Sequence, residues 1–233
     1  MKSMVNVSAK YSERDEGLRK YMISIFKHMS MALFVTAITA FIVSNVPALM
    51  QLIFGTPLYL VVMFAPLFYV FYFTSKIWTM SAEKARNNLW IYSVLMGLSL
   101  TSIFLAYSSV SLFRTFIITA TTFAGMALYG NTTKKDLTGF GSFLLMGLFG
   151  IIVASVVNIF LKSVGIEFSI SIIGVLLFTG LTAYDVQKLK NTYDYVGVNN
   201  DTLQKVAIIG ALNLYMDFIN LFLMLLRLIG DRK

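Results

Sequence analysis

The chain has 233 residues, a net charge of +8, 58% hydrophobic residues and only 13% charged ones. A soluble domain carries roughly 25% charged residues because its surface faces water, so this surface faces lipid instead and the chain reads as an integral membrane protein. Its basic residues lie between apolar runs rather than in one patch, which argues against nucleic acid as a partner, and the lack of Cys excludes disulfides, thiolate metal sites and thiol nucleophiles.

Residues 1–20 read as a polar cytoplasmic N-terminal tail, with Glu13, Asp15 and Glu16 beside Lys10, Arg14, Arg19 and Lys20. They lack the basic start, apolar core and small-residue cleavage site of a secretory signal. Residues 21–233 read as one transmembrane domain, all-α, a polytopic membrane helical bundle of seven transmembrane helices. A helix crosses the ~30 Å of hydrocarbon in about 20 residues. No Asp, Glu, Lys or Arg falls between Lys27 and Lys76, which leaves room for two spans, near 26–46 and 57–75. Asn45, Pro47 and Gly55-Thr56-Pro57 mark the turn between them. Span three is expected over 88–108 and span four over 112–130, with Arg114 snorkelling from its end. Spans five and six follow at 139–161 and 167–187. The last apolar run is Val206–Ile229, read as a true seventh span, with a re-entrant segment as the alternative. No alternating pattern of a membrane barrel occurs.

Basic residues set the orientation. Fourteen of the 19 Lys and Arg residues fall in the N-terminal segment and in the loops after spans two, four and six. The N-terminus is therefore expected in the cytoplasm, with the basic C-terminal tail as the exception. Trp78 and Trp90 fit the interfacial belt, and His28 reads as an interfacial side chain with no metal-ligating partner at suitable spacing.

Two carboxylates lie in or beside apolar spans. Asp217 is flanked by uncharged runs on both sides, and Asp185 stands near the end of span six. An Asp at a helix centre costs about 2.5–3.5 kcal/mol on insertion scales, so it is expected to face the bundle interior. Asn213, Asp217 and Asn220 recur at helical spacing, and the same stripe continues to Met224 and Arg227. The two Asn residues fit helix packing as well as an ion pathway. Depth counting places Asp185 near the interface and Asp217 about 10 residues, or ~15 Å, along span seven. The two meet only if span six overhangs, span seven tilts or its start lies deeper. If they meet at ~5 Å, their charges repel by roughly 3 kcal/mol at an effective dielectric near 20, and the pair would share one proton. Deprotonated, it would offer hard oxygens to calcium, with water completing the shell. No cofactor is expected. No phosphate-binding glycine loop, Walker pattern or serine elbow occurs, and Leu214-Tyr215-Met216-Asp217 lacks the glycines of the intramembrane aspartyl protease motif. The chain is therefore not expected to be an enzyme.

Four segments carry a family resemblance: Met96-Gly97-Leu98-Ser99-Leu100-Thr101-Ser102-Ile103-Phe104, Thr133-Lys134-Lys135-Asp136-Leu137, Ala183-Tyr184-Asp185, and Asn213-Leu214-Tyr215-Met216-Asp217-Phe218-Ile219-Asn220-Leu221-Phe222 followed by Leu225-Leu226-Arg227. The chain resembles the Bax inhibitor-1 family, the transmembrane Bax inhibitor motif proteins, over almost all of its length after residue 20. The resemblance implies a seven-helix fold with the seventh helix central, wrapped by the other six. It also implies a pH-sensitive calcium leak gated by a two-aspartate pair, here Asp185 and Asp217, which would bind calcium weakly. Some bacterial members latch that pair with an arginine on span two. No Arg stands there in this chain, and Lys76 is the nearest cation. The segment from Lys188 to Lys205 reads as a loop longer than in compact bacterial members. The alternative the family implies is a membrane-embedded regulator of a membrane protease or of stress and cell-death pathways, without ion transport. The expected location is a cell's inner membrane, with the bilayer, calcium, protons and a membrane protease as partners.

Overall fold

The computed structural model describes residues 2–196 and 200–233, with side chains from Arg14 onward. Among these residues the chain folds as α1 (Lys2–Asn45), α2 (Pro47–Phe54), α3 (Leu58–Lys76), α4 (Ala82–Ala106), α5 (Ser109–Thr132), α6 (Thr138–Leu161), α7 (Val164–Val196) and α8 (Asn200–Ile229), with a short 3-10 turn at Ile77–Thr79. All but α2 are long and apolar enough to cross a membrane, seven in total, so the chain is a polytopic helical membrane protein. Helices are the form that satisfies every backbone group within one segment. Large side chains such as Phe34, Phe68, Phe113, Phe149 and Phe160 stand exposed on its outside, which suits an acyl-chain solvent.

The expected turn after span one contains a helix of its own. Pro47 starts α2, where its missing N–H costs nothing, and Gly55 ends it by donating to the Gln51 carbonyl at 2.9 Å. The largest departure lies around span six. The sequence suggests an end at 187 and a long loop to Lys205, whereas α7 continues to Val196 and α8 starts at Asn200. Polar residues dominate that stretch, so hydropathy marks where hydrocarbon ends and not where the helix ends. α8 then runs unbroken to Ile229, which rules out a re-entrant turn. At the other end α1 is already helical ahead of the predicted span, and Arg14 donates to both carboxylate oxygens of Asp194 on α7 at 2.8 and 2.6 Å.

α8 is the most enclosed helix. Two-thirds of its apolar window, 67%, is buried, and no other span exceeds 39%. It is lined by α1, α4, α5 and α7, while α3 packs on α4 and α6 on α7. The outer two, α3 and α6, are each 11% buried. Small residues let the inner helices approach. A methyl at Gly97 of α4 would meet the Thr39 side chain of α1 at 2.6 Å, and one at Gly130 of α5 would overlap the Ala183 carbonyl of α7. Between α1, α4 and α8 the hydroxyl of Thr36 donates to the Ser93 carbonyl at 2.9 Å and lies 2.7 Å from the Tyr215 hydroxyl. Thr36 has one proton to give, so Tyr215 is the donor of the second bond.

At the end opposite the α7–α8 connection, the last residues fold over the bundle. Asp231 N–H donates to the Ser111 hydroxyl at 2.9 Å, Lys233 N–H to the Ala106 carbonyl at 3.0 Å, and Arg232 to Glu167 at 2.8 Å. Arg114 donates to the Ile229 carbonyl at 2.8 Å. The arginine expected to snorkel is thus fastened to the C-terminal segment, whose unpaired helix-end carbonyl needs a donor.

Candidate functional site: an aspartate pair between α7 and α8

The site is set by the register of two antiparallel helices. Leu189 of α7 lies over Gly210 of α8, and Gly174 of α7 lies under Met224 of α8. Both glycines remove a side chain where the helices would otherwise be held apart, and the stretch between these contacts sets Asp185 opposite Asp217. Span six does overhang, which is one of the conditions the depth count allowed. α7 continues nine residues past its predicted end, about 13 Å at 1.5 Å each. Side-chain direction helps as well. Each Cα–Cβ bond tilts toward its own helix N-terminus, so in antiparallel neighbours Asp185 leans away from the connection and Asp217 leans toward it.

The carboxyl groups of Asp185 and Asp217 lie within hydrogen-bonding reach of each other. Asp217 is 7% exposed, Asp185 half-buried. Oδ2 of Asp217 is fully buried and has no donor beside it. Two ionised carboxylates are acceptors only, so a proton on one of them is the donor available to the other. Among the described residues neither carboxyl forms an ion pair within 4 Å. The cation acting on Asp185 is Lys188, one turn further along α7, with its ammonium 5.7 Å from the centroid of the Tyr184 ring. No group of three or more His, Cys, Asp or Glu gathers among the described residues. The protein itself therefore offers a divalent ion two carboxylates at this place, and a hard cation with 6–8 oxygen ligands would keep water for the rest.

The remaining predicted residues separate. Asn213 and Asn220 sit half-buried on α8, one turn to either side of Asp217. Arg227 is exposed in the last turn of α8, ten residues or about 15 Å beyond Asp217. Lys76 lies at the end of α3 and lines a cavity against α4 together with Lys84, whereas the cation beside the pair is Lys188.

Three neighbours escaped the sequence reading. Gln187, buried two residues after Asp185, accepts from the Leu137 N–H and donates to the Lys135 carbonyl, both at 2.8 Å. Lys190 donates to the Asn131 carbonyl at 2.7 Å. Together they hold the α5–α6 loop onto α7 beside the pair. Lys188 is the third. Their common signal was a run of polar residues after Tyr184-Asp185 that reads equally well as a solvated loop. On α5, which packs on both α7 and α8, Thr115 and Thr119 are buried, and the Thr115 hydroxyl has no partner.

Known proteins resemble this chain along its whole length. The family model described as inhibitor of apoptosis-promoting Bax1 matches residues 18–233. Uncharacterized protein RP147 of Rickettsia prowazekii is 42% identical over 229 residues, 98% of this chain and 97% of that one. Inner membrane protein YbhL of Escherichia coli K12 is 44% identical over 219 residues, 93% of this chain and 94% of its own. A Deinococcus radiodurans protein is still 34% identical over 232 residues, 100% of this chain and 99% of that one. With a family model covering all but the first residues, and relatives of matching length that keep more than 40% identity, the chain belongs to the Bax inhibitor-1 family.

Proposed function

We propose that this membrane protein is a pH-sensitive cation leak with calcium as its cargo, gated by the proton that Asp185 and Asp217 share. The observation that carries the reading is the contact of the two carboxyl groups at the α7–α8 interface, with an oxygen of Asp217 buried and lacking any other donor. With one proton between them, the pair is a single hydrogen-bonded clasp joining two helices. Losing that proton leaves two negative charges in contact, which repel by roughly 3 kcal/mol at ~5 Å and an effective dielectric of 20. The clasp then opens and its oxygens become ligands for a hard cation. Flux therefore rises as pH rises through the titration of the pair. The half-buried amides of Asn213 and Asn220 extend the polar face of α8 to either side. A potential of ~100 mV drives a divalent cation inward by roughly 4.6 kcal/mol, so the leak needs no other energy source. The reading assigns no covalent chemistry and no resident cofactor to the pair. It places the chain in a cell's inner membrane, in keeping with the name of the YbhL relative, with the N-terminus on the cytoplasmic side where most of its basic residues gather.

The test is calcium entry into liposomes holding the purified protein, followed across acidic to neutral pH for the wild type and Asp217→Asn. The wild type gives pH-dependent flux, and the variant gives flux that is absent or flat with pH. Equal pH-dependent flux from both removes Asp217 from the gate. No flux from either removes transport, and leaves the family's regulatory role without ion movement.

A further inference from the structure

The cavity that Lys76 and Lys84 share, of about 300 Å³, lies where α3 ends and α4 begins, and is lined by Tyr72, Lys76, Thr79, Met80, Lys84, Asn87 and Asn88. It stands apart from the aspartate pair, since α3 packs on α4 at the edge of the bundle. Its chemistry is one-sided. Two ammonium groups line one small opening, and neither has a carboxylate within ion-pair distance among the described residues. The nearby acids are turned elsewhere. Asp201 accepts from the Ala82 N–H at 3.2 Å and pairs with Lys205 at 2.7 Å, and Glu83 is not part of the lining.

The surroundings say what kind of anion fits. Phe68, Tyr72 and Lys76 follow each other at four-residue spacing on α3. The first two are 71% and 53% exposed, so an apolar track on the outside of the bundle leads straight to the basic opening. Trp78, 58% exposed, stands beside it, as interfacial tryptophans do at headgroup level. The cavity also adjoins the N-terminus of α4, where the helix dipole adds positive potential. Asn88 is committed, accepting from the Tyr69 hydroxyl at 2.6 Å and donating to the Lys84 carbonyl at 2.8 Å. This fixes one wall and leaves the Asn87 amide and both ammonium groups to a ligand.

We propose that this cavity binds the phosphate headgroup of an anionic phospholipid. Lys76 and Lys84 neutralise the phosphate from its two sides, and Asn87 donates to it. The acyl chains lie along the Phe68–Tyr72 face of α3. Basic pockets between transmembrane helices suit such headgroups because lipid holds the anion at that depth. A tail-less phosphate would gain the headgroup contacts alone, without the apolar track. Lys76 is in this way a lipid-binding residue on the rim of the bundle.

The test uses the full-length purified protein in phosphatidylcholine nanodiscs doped with phosphatidylglycerol, and counts retained lipids by native mass spectrometry. Wild type retains phosphatidylglycerol in preference to phosphatidylcholine. Lys76→Gln with Lys84→Gln lowers that retention about 30-fold, as expected for two lysines at the headgroup. Lys76→Arg with Lys84→Arg preserves it, which separates lost charge from misfolding. Lys134→Gln with Lys135→Gln, which removes two charges from the α5–α6 loop, leaves it unchanged. Equal loss in the Lys134/Lys135 variant, or equal retention of both lipids by wild type, overturns the site. Displacement of phosphatidylglycerol by excess inorganic phosphate overturns the lipid and assigns the cavity to a soluble anion.

Discussion

Gly130 of α5 lies so close to Ala183 of α7 that a methyl group at residue 130 would overlap the Ala183 carbonyl oxygen and crowd its Cα at 2.9 Å. Ala183 stands two residues before Asp185, so this approach fixes the depth of the helix carrying one half of the aspartate pair. The obstructing atoms are backbone, which has no rotamer to yield. Gly130→Ala therefore forces α5 and α7 apart and destabilises the protein by about 1–3 kcal/mol, the usual cost of overpacking. Gly125, five residues earlier on the same helix, has open space around it. Gly125→Ala is stabilising by about 0.5–1 kcal/mol through helix propensity. Thermal melts in one detergent check both, and a Gly130→Ala melt matching wild type would contradict the close approach.

The buried carboxyl of Asp217 favours pH response over stability. Its Oδ2 has no donor but the shared proton, and a carboxyl held inside the bundle carries a desolvation cost that an apolar side chain avoids. Asp217→Leu, with the same branching at Cγ but no polar atom, raises the melting temperature and abolishes the pH dependence of flux. Asp217→Asn keeps a hydrogen bond to Asp185 through its amide and leaves the melting temperature nearer wild type. A lower melting temperature for the Leu variant would make Asp217 a structural residue instead.

Gln187 is the hinge pin of the α5–α6 loop. Gln187→Leu fills the same space and leaves the Leu137 N–H and the Lys135 carbonyl without partners. With two backbone groups orphaned at about 1–3 kcal/mol each, the loss is about 2–6 kcal/mol. It is local, so amide hydrogen exchange at residues 135–138 speeds up before exchange in the middle of α5 does. Uniform acceleration along the chain would show that Gln187 supports the bundle globally.

Thr36 and Tyr215 lose different things when truncated. Tyr215 is fully buried, and its hydroxyl has Thr36 as its acceptor. Thr36→Val orphans that hydroxyl and also removes the donor to Ser93, at a cost of about 2–4 kcal/mol. Tyr215→Phe removes the hydroxyl altogether, leaves Thr36 bonded to Ser93, and costs about 1 kcal/mol. The double variant resembles Thr36→Val with its orphan removed, so it melts above that single variant. Additive losses in a double-mutant cycle would break the proposed direction of the bond.

Much of this protein was written in its hydropathy. Apolar runs spaced by polar breaks determined seven spans, because hydrocarbon admits few backbone forms and each takes about 20 residues as a helix. Asp217 stood out for the same reason, as a carboxylate too costly to face lipid. The motif around Asn213–Phe222 marked the family. What hydropathy cannot see is any structure continuing into water. The extension of α7 to Val196, the short helix α2 and the helical start of α1 lie in polar or turn-rich sequence, where burial no longer reports conformation. That extension is the step that lets Asp185 reach Asp217, and it was legible only as a condition. Which cation neighbours the pair was likewise settled by helix packing. Lys76 and Lys188 are equally plausible by composition, but α3 sits on α4 at the rim, while Lys188 rides one turn along from Asp185 on its own helix. Sequence assigns residues to spans through transfer free energy, a local property of each segment. Register, depth and partner choice depend on which small residues meet across helices, and only the folded bundle decides that.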